Sequence, residues 1–351
     1  MMKKNKYKFV IFGKIIHTDF FIKLLDKWGF EKPLVIISLD NEYHRDERLL
    51  TPYNLYSKIE DLAKDGLCDL YKLESVNNNE TIKLLDQYNV NIAISINCRN
   101  IIKKNIIDYF DGLIFNLHDS YLPNERGGAL NTWRILNGIN EVGNTIHYLE
   151  EGIDTGPVVV QSKVKIEKQQ PVTIDYLIAE KTNCEKILEE FINIIKSESD
   201  IPSKEQDNDS SYYYPRLYTE INGIINWDWD IESIEKFIRA FSTPYPGAFT
   251  YFQNKKINIL ECRIESENNN IFHPFSNGKI VTVMDDKSVR VIVGGKSLII
   301  EKISIDGKHM LPGDILSIKY NLYSPLDELV YAKNHVPSTL SMNKNEKKYS
   351  E

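Results

Sequence analysis

Cysteine is scarce in this chain, and the cysteines that it has are widely separated. Four occur among 351 residues, Cys68, Cys98, Cys184 and Cys262, with no C-x-x-C pair. Zinc sites and disulfide frameworks both use cysteines at short or regular spacings. Nor does the sequence place Asp, His and Cys together at metal-ligand spacing. We therefore expect reduced thiols, no disulfide scaffold and no metal.

Long apolar runs and an excess of positive charge are also missing. No stretch approaches the roughly 20 apolar residues that a helix needs to cross a bilayer. The lysine-rich start, MMKKNKYKFVIFGK, has only a short apolar run and no cleavage site, which favours a first strand over a signal peptide. The net charge of -7 disfavours the basic surface that tight nucleic-acid binding requires. We expect a cytoplasmic protein that binds neither a membrane nor nucleic acid.

The first two hundred residues alternate between short apolar runs and amphipathic patterns. Seven runs have the length and composition of strands: YKFVIFG, PLVIISL, CDLYKL, NIAISI, GLIFNLH, NTIHYLE and VVVQSKVKI. Helical patterns separate the early ones, and several runs are apolar throughout, as buried parallel strands are. This alternation predicts a doubly wound, Rossmann-like α/β domain over residues 1–200.

A polar stretch and then a different pattern follow that domain. SESDIPSKEQDNDSSYYYP has two prolines and no apolar period, which predicts a linker over residues 201–222. Beyond it, one helical pattern and five short alternating runs predict a smaller, mainly β domain resembling an open barrel over residues 223–336. The last residues, 337–351, have the composition of a mobile tail.

Two polar side chains share one face at the end of the fifth predicted strand. In FNLHDSYLP, Asn116 and His118 are two residues apart, so on an extended chain they point to the same side. Further along, EEGIDTGPVVV places Asp154 between two glycines before an apolar run. Each feature alone has a simpler structural explanation, a packed histidine or a tight turn between strands. Their combination is more informative than any one of them.

Around these residues the chain resembles the folate-dependent formyltransferase family. FNLHDSYLPNERGG, WRILNG and GNTIHYLEEGIDTGPVVVQ are similar, in that order, to the family's N-x-H pair, LP-x-x-RG loop and D-x-G motif. The resemblance implies that Asn116, His118 and Asp154 are catalytic. It also implies 10-formyltetrahydrofolate as the formyl donor, with a pterin site made mainly by backbone groups. The residues concerned are Asn100, Ile101, Ile102, Glu150, Glu151, Gly152, Ile153 and Gly156.

The chemistry of formyl transfer fits the three catalytic candidates. Attack by an amine gives a tetrahedral centre with a negative oxygen, which the Asn116 amide could stabilise. His118 can accept the amine proton and pass it to the leaving folate nitrogen. Asp154 would orient the imidazole and favour its charged form. This scheme needs no metal.

The amine that is formylated depends on which branch of the family the chain resembles more. SINCRNII is similar to the S-x-x-[aromatic]-R pattern of enzymes acting on nucleotide-linked aminosugars, with Ser95 and Arg99 in place and Cys98 at the aromatic position. Asp119 stands where enzymes that formylate methionyl-tRNA usually carry proline. Residues 216–351 contain 17 Lys plus Arg and 17 Asp plus Glu, whereas a module that grips tRNA should be basic.

The resemblance therefore implies a sugar N-formyltransferase of a bacterial surface-glycan route, such as O-antigen in lipopolysaccharide biosynthesis. The specific substrate that we expect is dTDP-4-amino-4,6-dideoxyglucose; a 3-amino sugar, methionyl-tRNA and a non-catalytic folate or nucleotide sensor are the alternatives. A homodimer is also implied. Arginine forks and aromatic rings near the domain junction could bind a diphosphate and a base, although ion pairing and core packing are commoner roles for them. The candidate substrate-binding residues are Ser95, Arg99, Arg126, Gly127, Asn131, Trp133, Arg134, Arg216, Trp227, Arg239, Phe241 and Tyr245.

Overall fold

The structure, a computed structural model, describes residues 6–14, 16–39, 42–56, 58–197, 200–266 and 272–335. The segment predicted to be a mobile tail, 337–351, lies outside the described residues. None of the described helices combines the length and the apolar content that crossing a membrane demands.

Each of the seven runs predicted as strands in the first half forms a strand. The strands up to residue 214 are β1 (Phe9–Phe12), β2 (Leu34–Ser38), β3 (Asp69–Leu73), β4 (Ile92–Ile96), β5 (Ile114–His118), β6 (Arg126–Gly127), β7 (Glu141–Tyr148), β8 (Val158–Lys165) and β9 (Tyr213–Tyr214). The helices of this half are α1 (Thr18–Lys27), α2 (Glu42–Leu50), α3 (Ile59–Lys64), α4 (Asn79–Tyr88), α5 (Lys104–Ile107), α6 (Leu130–Asn137) and α7 (Thr173–Lys196).

The first half is built on a seven-stranded sheet in the order β3-β2-β1-β4-β5-β7-β8. The strands β1 to β5 pair in parallel, and β7 and β8 are antiparallel additions at one edge. Side chains of β1 alternate between the two faces: Phe9 and Ile11 belong to one core cluster, and Val10 and Phe12 to another. Burial on both faces explains the apolar strands, and the predicted doubly wound domain is confirmed.

The strand order reverses between β1 and β4, which is where open α/β sheets bind ligands, beyond the carboxyl ends of the strands. Ser95 near the end of β4 and His118 at the end of β5 lie at this edge. The antiparallel pairing of β7 with β5 sets His147 opposite Asn116. Polar side chains from the three adjacent strands β4, β5 and β7 therefore lie beside the switch point.

The second half is mainly β, as predicted. Its strands are β10 (Ala248–Phe252), β11 (Lys255–Ile264), β12 (Ile280–Val283), β13 (Val289–Val293), β14 (Lys296–Ile305) and β15 (Lys308–Met310), and its helices are α8 (Thr219–Asn222), α9 (Ile231–Ala240) and α10 (Leu326–Asn334). The strands form an antiparallel sheet in the order β10-β11-β14-β13-β12, with β15 paired to β14. Buried side chains of α9, such as Ile234 and Phe237, share a core cluster with this sheet.

The segment predicted as a linker, 201–222, does more than join the two halves. Lys204 pairs with Val158 at the start of β8, and β9 pairs in parallel with β6. The polar composition does predict exposure, since most side chains from 202 to 210 are exposed. Composition could not predict the backbone pairing, because its partners are far away in sequence. The exact domain bounds remain a prediction.

Candidate active site

The strand β5 presents Asn116 and His118 on one face, while Phe115 and Leu117 on the other face join the core. The turn after β7 brings the third predicted residue next to them. Oδ1 of Asp154 lies 3.3 Å from Nδ2 of Asn116 and 3.6 Å from Nδ1 of His118. The structure therefore brings the three side chains together, and their catalytic roles remain a prediction.

The imidazole of His118 is buried, and its two nitrogens have different surroundings. Nε2 lies 2.9 Å from the carbonyl oxygen of Glu125. Because a carbonyl oxygen can only accept a hydrogen bond, Nε2 carries a proton in this arrangement. Nδ1, which faces Asp154, is therefore the nitrogen with the lone pair in the neutral ring. A proton taken up by His118 would go to Nδ1.

The turn that carries Asp154 is held by close backbone contacts. Asp154 has φ +55°, in the left-handed region, and the backbone N–H of Gly127 donates to its Oδ2 at 3.0 Å. Gly156 follows in a position where a Cβ atom would lie 1.9 Å from the carbonyl oxygen of Tyr148. A glycine at 156 is therefore a steric requirement of the turn.

Asp154 is an anion at neutral pH. Burial opposes its charge, but the electrostatic interaction with His118 and the hydrogen bond from the N–H of Gly127 outweigh that cost and hold the pKa of the carboxyl well below its usual range. A carboxylate at 3.6 Å from Nδ1 of His118 stabilises the positive charge that a proton there would bring.

His147 is a fourth member of the site that the sequence did not single out. Its Nδ1 lies 2.7 Å from the carbonyl oxygen of Tyr148, and its Nε2 lies 3.1 Å from Nδ2 of Asn116. Nδ1 therefore carries the proton and Nε2 accepts from the amide. This contact and the longer one to Asp154, at 3.3 Å, orient the Asn116 amide. The sequence signal for His147 is its predicted strand, NTIHYLE. Pairing of that strand with β5 places its histidine opposite Asn116.

A cavity opens beside these side chains and brings together most of the predicted folate contacts. Its walls come from the loop after β4 and from the turn after β7, and Tyr213 and Arg216 of the predicted linker complete it. Ile101 and Ile153, one from each loop, are each 44% exposed there. Besides Asn116, His118 and Asp154, the predicted residues that line this cavity are Ser95, Arg99, Asn100, Ile101, Ile102, Gly127, Glu150, Glu151, Gly152, Ile153 and Arg216.

A second cavity adjoins the first and reaches the second domain. The two cavities share His118, Arg99, Gly127 and Arg216 among their lining residues. The second cavity is also lined by Arg45, Asp46 and Leu49 of α2, by Asn131 and Glu180, and by Tyr218 and Tyr245. An ion pair joins Arg99 to Asp46, and the guanidinium of Arg45 lies 5.9 Å from each of the rings of Tyr218 and Tyr245.

Arg134, predicted to meet a diphosphate, is instead fully buried beneath the second cavity. Its guanidinium donates to carboxyl oxygens of Glu125 and Glu180, to the side-chain oxygen of Asn131 and to the carbonyl oxygen of Asp119. Its donors are therefore committed within the protein. This correction follows from burial, which a sequence does not reveal for a single arginine.

Other predicted substrate contacts are also occupied within the protein. The indole of Trp133 stacks on Tyr214 with ring centres 5.2 Å apart, and Arg126 donates to Gln206 and Asn208. In the second domain, Trp227 and Phe241 are core side chains. The guanidinium of Arg239 donates to the carboxyl group of Glu235 and to the carbonyl oxygen of Pro171. Among the described residues, none of these five side chains lines either cavity, so they are corrected to packing and bridging residues.

Two family models match the chain. Residues 40–184 match the formyl transferase model, and residues 218–318 match the model of the formyl transferase C-terminal domain. The chain belongs to the formyltransferase family. It is therefore an enzyme of formyl transfer, and both of its domains have counterparts in the family.

Known relatives of this formyltransferase act on different acceptors. A methionyl-tRNA formyltransferase of Syntrophomonas wolfei is 25% identical over 280 residues, which cover 79% of this chain and 84% of that protein. The fold is similar to WlaRD, a sugar 3N-formyl transferase crystallised with dTDP and 5-N-formyl-THF (TM-score 0.59, 24% identity, 84% of this chain and 97% of that one). It is also similar to an N-formyltransferase from Helicobacter canadensis in complex with folinic acid and dTDP-3-aminofucose (TM-score 0.60, 20% identity, 84% and 98%).

Proposed function

We propose that this formyltransferase moves the formyl group of 10-formyltetrahydrofolate to the amino group of a nucleotide-linked amino-dideoxy sugar. The observation that carries this proposal is a pair of adjoining cavities that both include His118 among their lining residues. A transfer between two large substrates needs such an arrangement, because both reacting groups must reach one proton-accepting side chain.

The first cavity suits the formyl donor. Its two loops expose Ile101 and Ile153, which offer apolar surface to the faces of a flat pterin. We expect backbone groups of the same loops to bind the ring's polar edge. Relatives of similar fold were crystallised with formylated folates, which supports this assignment.

The catalytic side chains account for each step of the transfer. The acceptor nitrogen attacks the formyl carbon, a new C–N bond forms, and the carbonyl oxygen becomes negative. The amide of Asn116 stabilises that oxygen by turning towards it the N–H that otherwise points to Asp154 at 3.3 Å. Nδ1 of His118 takes the amine proton and returns it to N10 of the folate as the C–N10 bond breaks. The carboxylate of Asp154 stabilises the positive charge of the imidazolium that forms transiently on His118.

The second cavity suits a nucleoside diphosphate sugar. Arg45, Arg99 and Arg216 line it, as do the acidic residues Asp46, Asp119 and Glu180, and Asp46 pairs with Arg99. Three guanidinium groups therefore face one cavity, and their planar sets of N–H donors match the oxygens of a diphosphate. Tyr218 and Tyr245 provide aromatic surface for a base. The sugar with its amine would then extend towards His118.

The specific acceptor that we propose remains dTDP-4-amino-4,6-dideoxyglucose, with dTDP-linked 3-amino sugars as the second choice within the same class. Two relatives of similar fold favour the 3-amino choice: WlaRD is a sugar 3N-formyl transferase, and the Helicobacter canadensis enzyme was crystallised with dTDP-3-aminofucose. The test is an assay of purified protein with 10-formyltetrahydrofolate and a panel of dTDP- and UDP-linked aminosugars, read by mass spectrometry of the product. The proposal would be contradicted if the protein formylated none of these aminosugars.

Formylation of methionyl-tRNA is a second candidate, favoured by the relative from Syntrophomonas wolfei. For this function the second domain of the chain would have to bind tRNA, which requires a basic surface. Residues 216–351 carry equal numbers of positive and negative side chains, which disfavours it. The same assay with initiator methionyl-tRNA distinguishes the two. Formylated tRNA and steeply salt-dependent binding would support this candidate over the sugar.

A further inference from the structure

The segment between the two domains carries a side chain that reaches the catalytic turn. Gln206 is half-buried, whereas Glu205 before it and Asp207 after it are exposed. The amide nitrogen of Gln206 donates to two backbone carbonyl oxygens, that of Asp154 at 3.0 Å and that of Gly156 at 2.7 Å. These two carbonyls belong to residues two positions apart in the turn, so one side chain holds the turn at two points.

The same side chain also holds the loop that faces Asp154. Nη2 of Arg126 donates to Oε1 of Gln206 at 2.8 Å. The next residue, Gly127, donates its backbone N–H to the carboxylate of Asp154 at 3.0 Å. Gln206, Asp154, Gly127 and Arg126 therefore close a ring of hydrogen bonds. The ring joins the D-x-G turn to the loop after β5.

We propose that Gln206 is a positioning residue for formyl transfer, which holds Asp154 against His118 and Asn116 through this ring. The inference rests on the catalytic role proposed above for Asp154. The backbone of Asp154 has φ +55°, which residues other than glycine seldom adopt, so its conformation depends on the bonds around it. A displacement of about 1 Å in a reacting group can cost about 100-fold in rate.

Two substitutions at 206 test the proposal. Gln206→Leu removes both the donor and the acceptor with little change in volume. Gln206→Glu keeps an acceptor for Arg126 but sets a carboxylate against two carbonyl oxygens. We expect about 10- to 100-fold lower kcat in both variants, with KM for donor and acceptor within about twofold of the original protein.

Matched controls lie in the same segment. Asn208→Ala removes another partner of Arg126, whose Nη2 donates to Asn208 at 2.9 Å, without touching the turn. Glu205→Gln changes an exposed neighbour. Both control variants should keep kcat within about twofold of the original. A loss in Asn208→Ala equal to that in Gln206→Leu would show that the Arg126 contact alone matters, and it would overturn the assigned role of the two carbonyl bonds.

A double variant separates positioning from a general loss of structure. If Gln206 acts through Asp154, then Asp154→Asn combined with Gln206→Leu should turn over as slowly as Asp154→Asn alone. A further loss in the double variant, or unchanged kcat in Gln206→Leu, would overturn the inference. Normal turnover in Asp154→Asn would have a different meaning, since it would remove Asp154 from the mechanism itself.

A second measurement does not depend on knowing the acceptor. The imidazole carbon–proton NMR resonances of His118 and His147 can be assigned with His118→Asn and His147→Asn. Both rings face Asp154, at 3.6 Å and 3.8 Å from its Oδ1, so their shifts report its position. We expect these resonances to move in Gln206→Leu and to stay in place in Glu205→Gln. Unmoved resonances in Gln206→Leu would contradict the proposal even if no aminosugar is formylated.

Discussion

Oδ1 of Asp154 lies 3.6 Å from Nδ1 of His118, while the opposite nitrogen of that ring is bonded to the carbonyl oxygen of Glu125. The carbonyl fixes which nitrogen is protonated in the neutral ring, and the carboxylate faces the other one. The two contacts together give His118 one orientation and one site for an incoming proton. A charge on that site is balanced by a carboxylate that stays ionised at neutral pH.

The first prediction concerns these two side chains. His118→Asn removes the proton acceptor, and Asp154→Asn replaces the carboxylate with a neutral amide. We expect each to lower kcat by about 10²- to 10⁴-fold, the usual contribution of a positioned acid or base. The measurement is steady-state turnover with 10-formyltetrahydrofolate and the accepted aminosugar. Circular dichroism and thermal melting should show that the fold is retained.

Controls for these variants make the same chemical changes at exposed positions. His309→Asn on β15 and Asp108→Asn after α5 alter the same residue types away from the cavities. Both should keep normal turnover. Near-normal turnover in His118→Asn or Asp154→Asn would remove that residue from the mechanism.

The sequence predicted those parts of the site that depend on local geometry or on a motif. The period of a strand places Asn116 and His118 on one face, and the motif around Asp154 has a fixed order in the family. His147 was missed because it joins the site through the pairing of β5 with β7, which is a contact between distant segments. A polar side chain within one strand does not indicate which other strand will pair beside it.

Burial and long-range hydrogen bonds account for the remaining differences. Arg134 lies on α6, and its partners Glu125 and Glu180 are 9 and 46 residues away, so they come close to it only in the folded chain. The polar composition of residues 201–222 predicted a linker, and most side chains from 202 to 210 are exposed. That Gln206 turns inwards depends on carbonyl groups about 50 residues earlier, which no local pattern reports.

The second prediction concerns the stability of the buried cluster around Arg134. Arg134→Met should lower the free energy of unfolding by about 3–5 kcal/mol, because it leaves Glu125 buried without its cation and the buried carboxyl group of Glu180 without a hydrogen-bond donor. Urea unfolding followed by circular dichroism measures the loss. Lys64→Met, which removes one partner of an exposed ion pair with Asp61, is the control and should change little. Equal effects in the two variants would contradict the burial argument.

The third prediction concerns pH. The buried cluster holds one arginine and two carboxyl groups, and burial raises the pKa of Glu180 above its usual range despite the hydrogen bonds from Arg134 and Asn131. The folded protein then keeps a proton that the unfolded chain releases above about pH 4.3, so this contribution to stability falls as pH rises. Glu180→Gln should flatten the dependence of unfolding free energy on pH between pH 5 and pH 9.

Urea unfolding at several pH values, for the original protein and for Glu180→Gln, checks this sign. Glu189→Gln changes an exposed residue of the same helix, α7, and should leave the pH dependence as it is. If the original protein gains stability as pH rises through this window, and Glu180→Gln does not alter the gain, then Glu180 is ionised in the folded state. The argument from burial would then be wrong.

The last prediction concerns substrate binding at the meeting point of the two cavities. Arg216 lines both, and its side chain packs over Gly128, where a Cβ atom would lie 2.7 Å from its Cγ. We expect Arg216→Met to raise the KM for the nucleotide-linked sugar by about 10- to 100-fold, the value of a hydrogen bond to a charged group, and to change kcat little. The measurement is steady-state kinetics at varied sugar concentration.

Salt and a control arginine distinguish a diphosphate contact from a loss of packing. Added salt should raise the KM of the original protein more than that of Arg216→Met, because the variant has already lost the charge that salt screens. Arg263→Met on β11 breaks an exposed pair with Glu301 and should leave the KM unchanged. If Arg216→Met binds the sugar as tightly as the original protein and with the same salt dependence, then the diphosphate does not lie at the domain junction, and the orientation proposed for the acceptor must be reversed or abandoned.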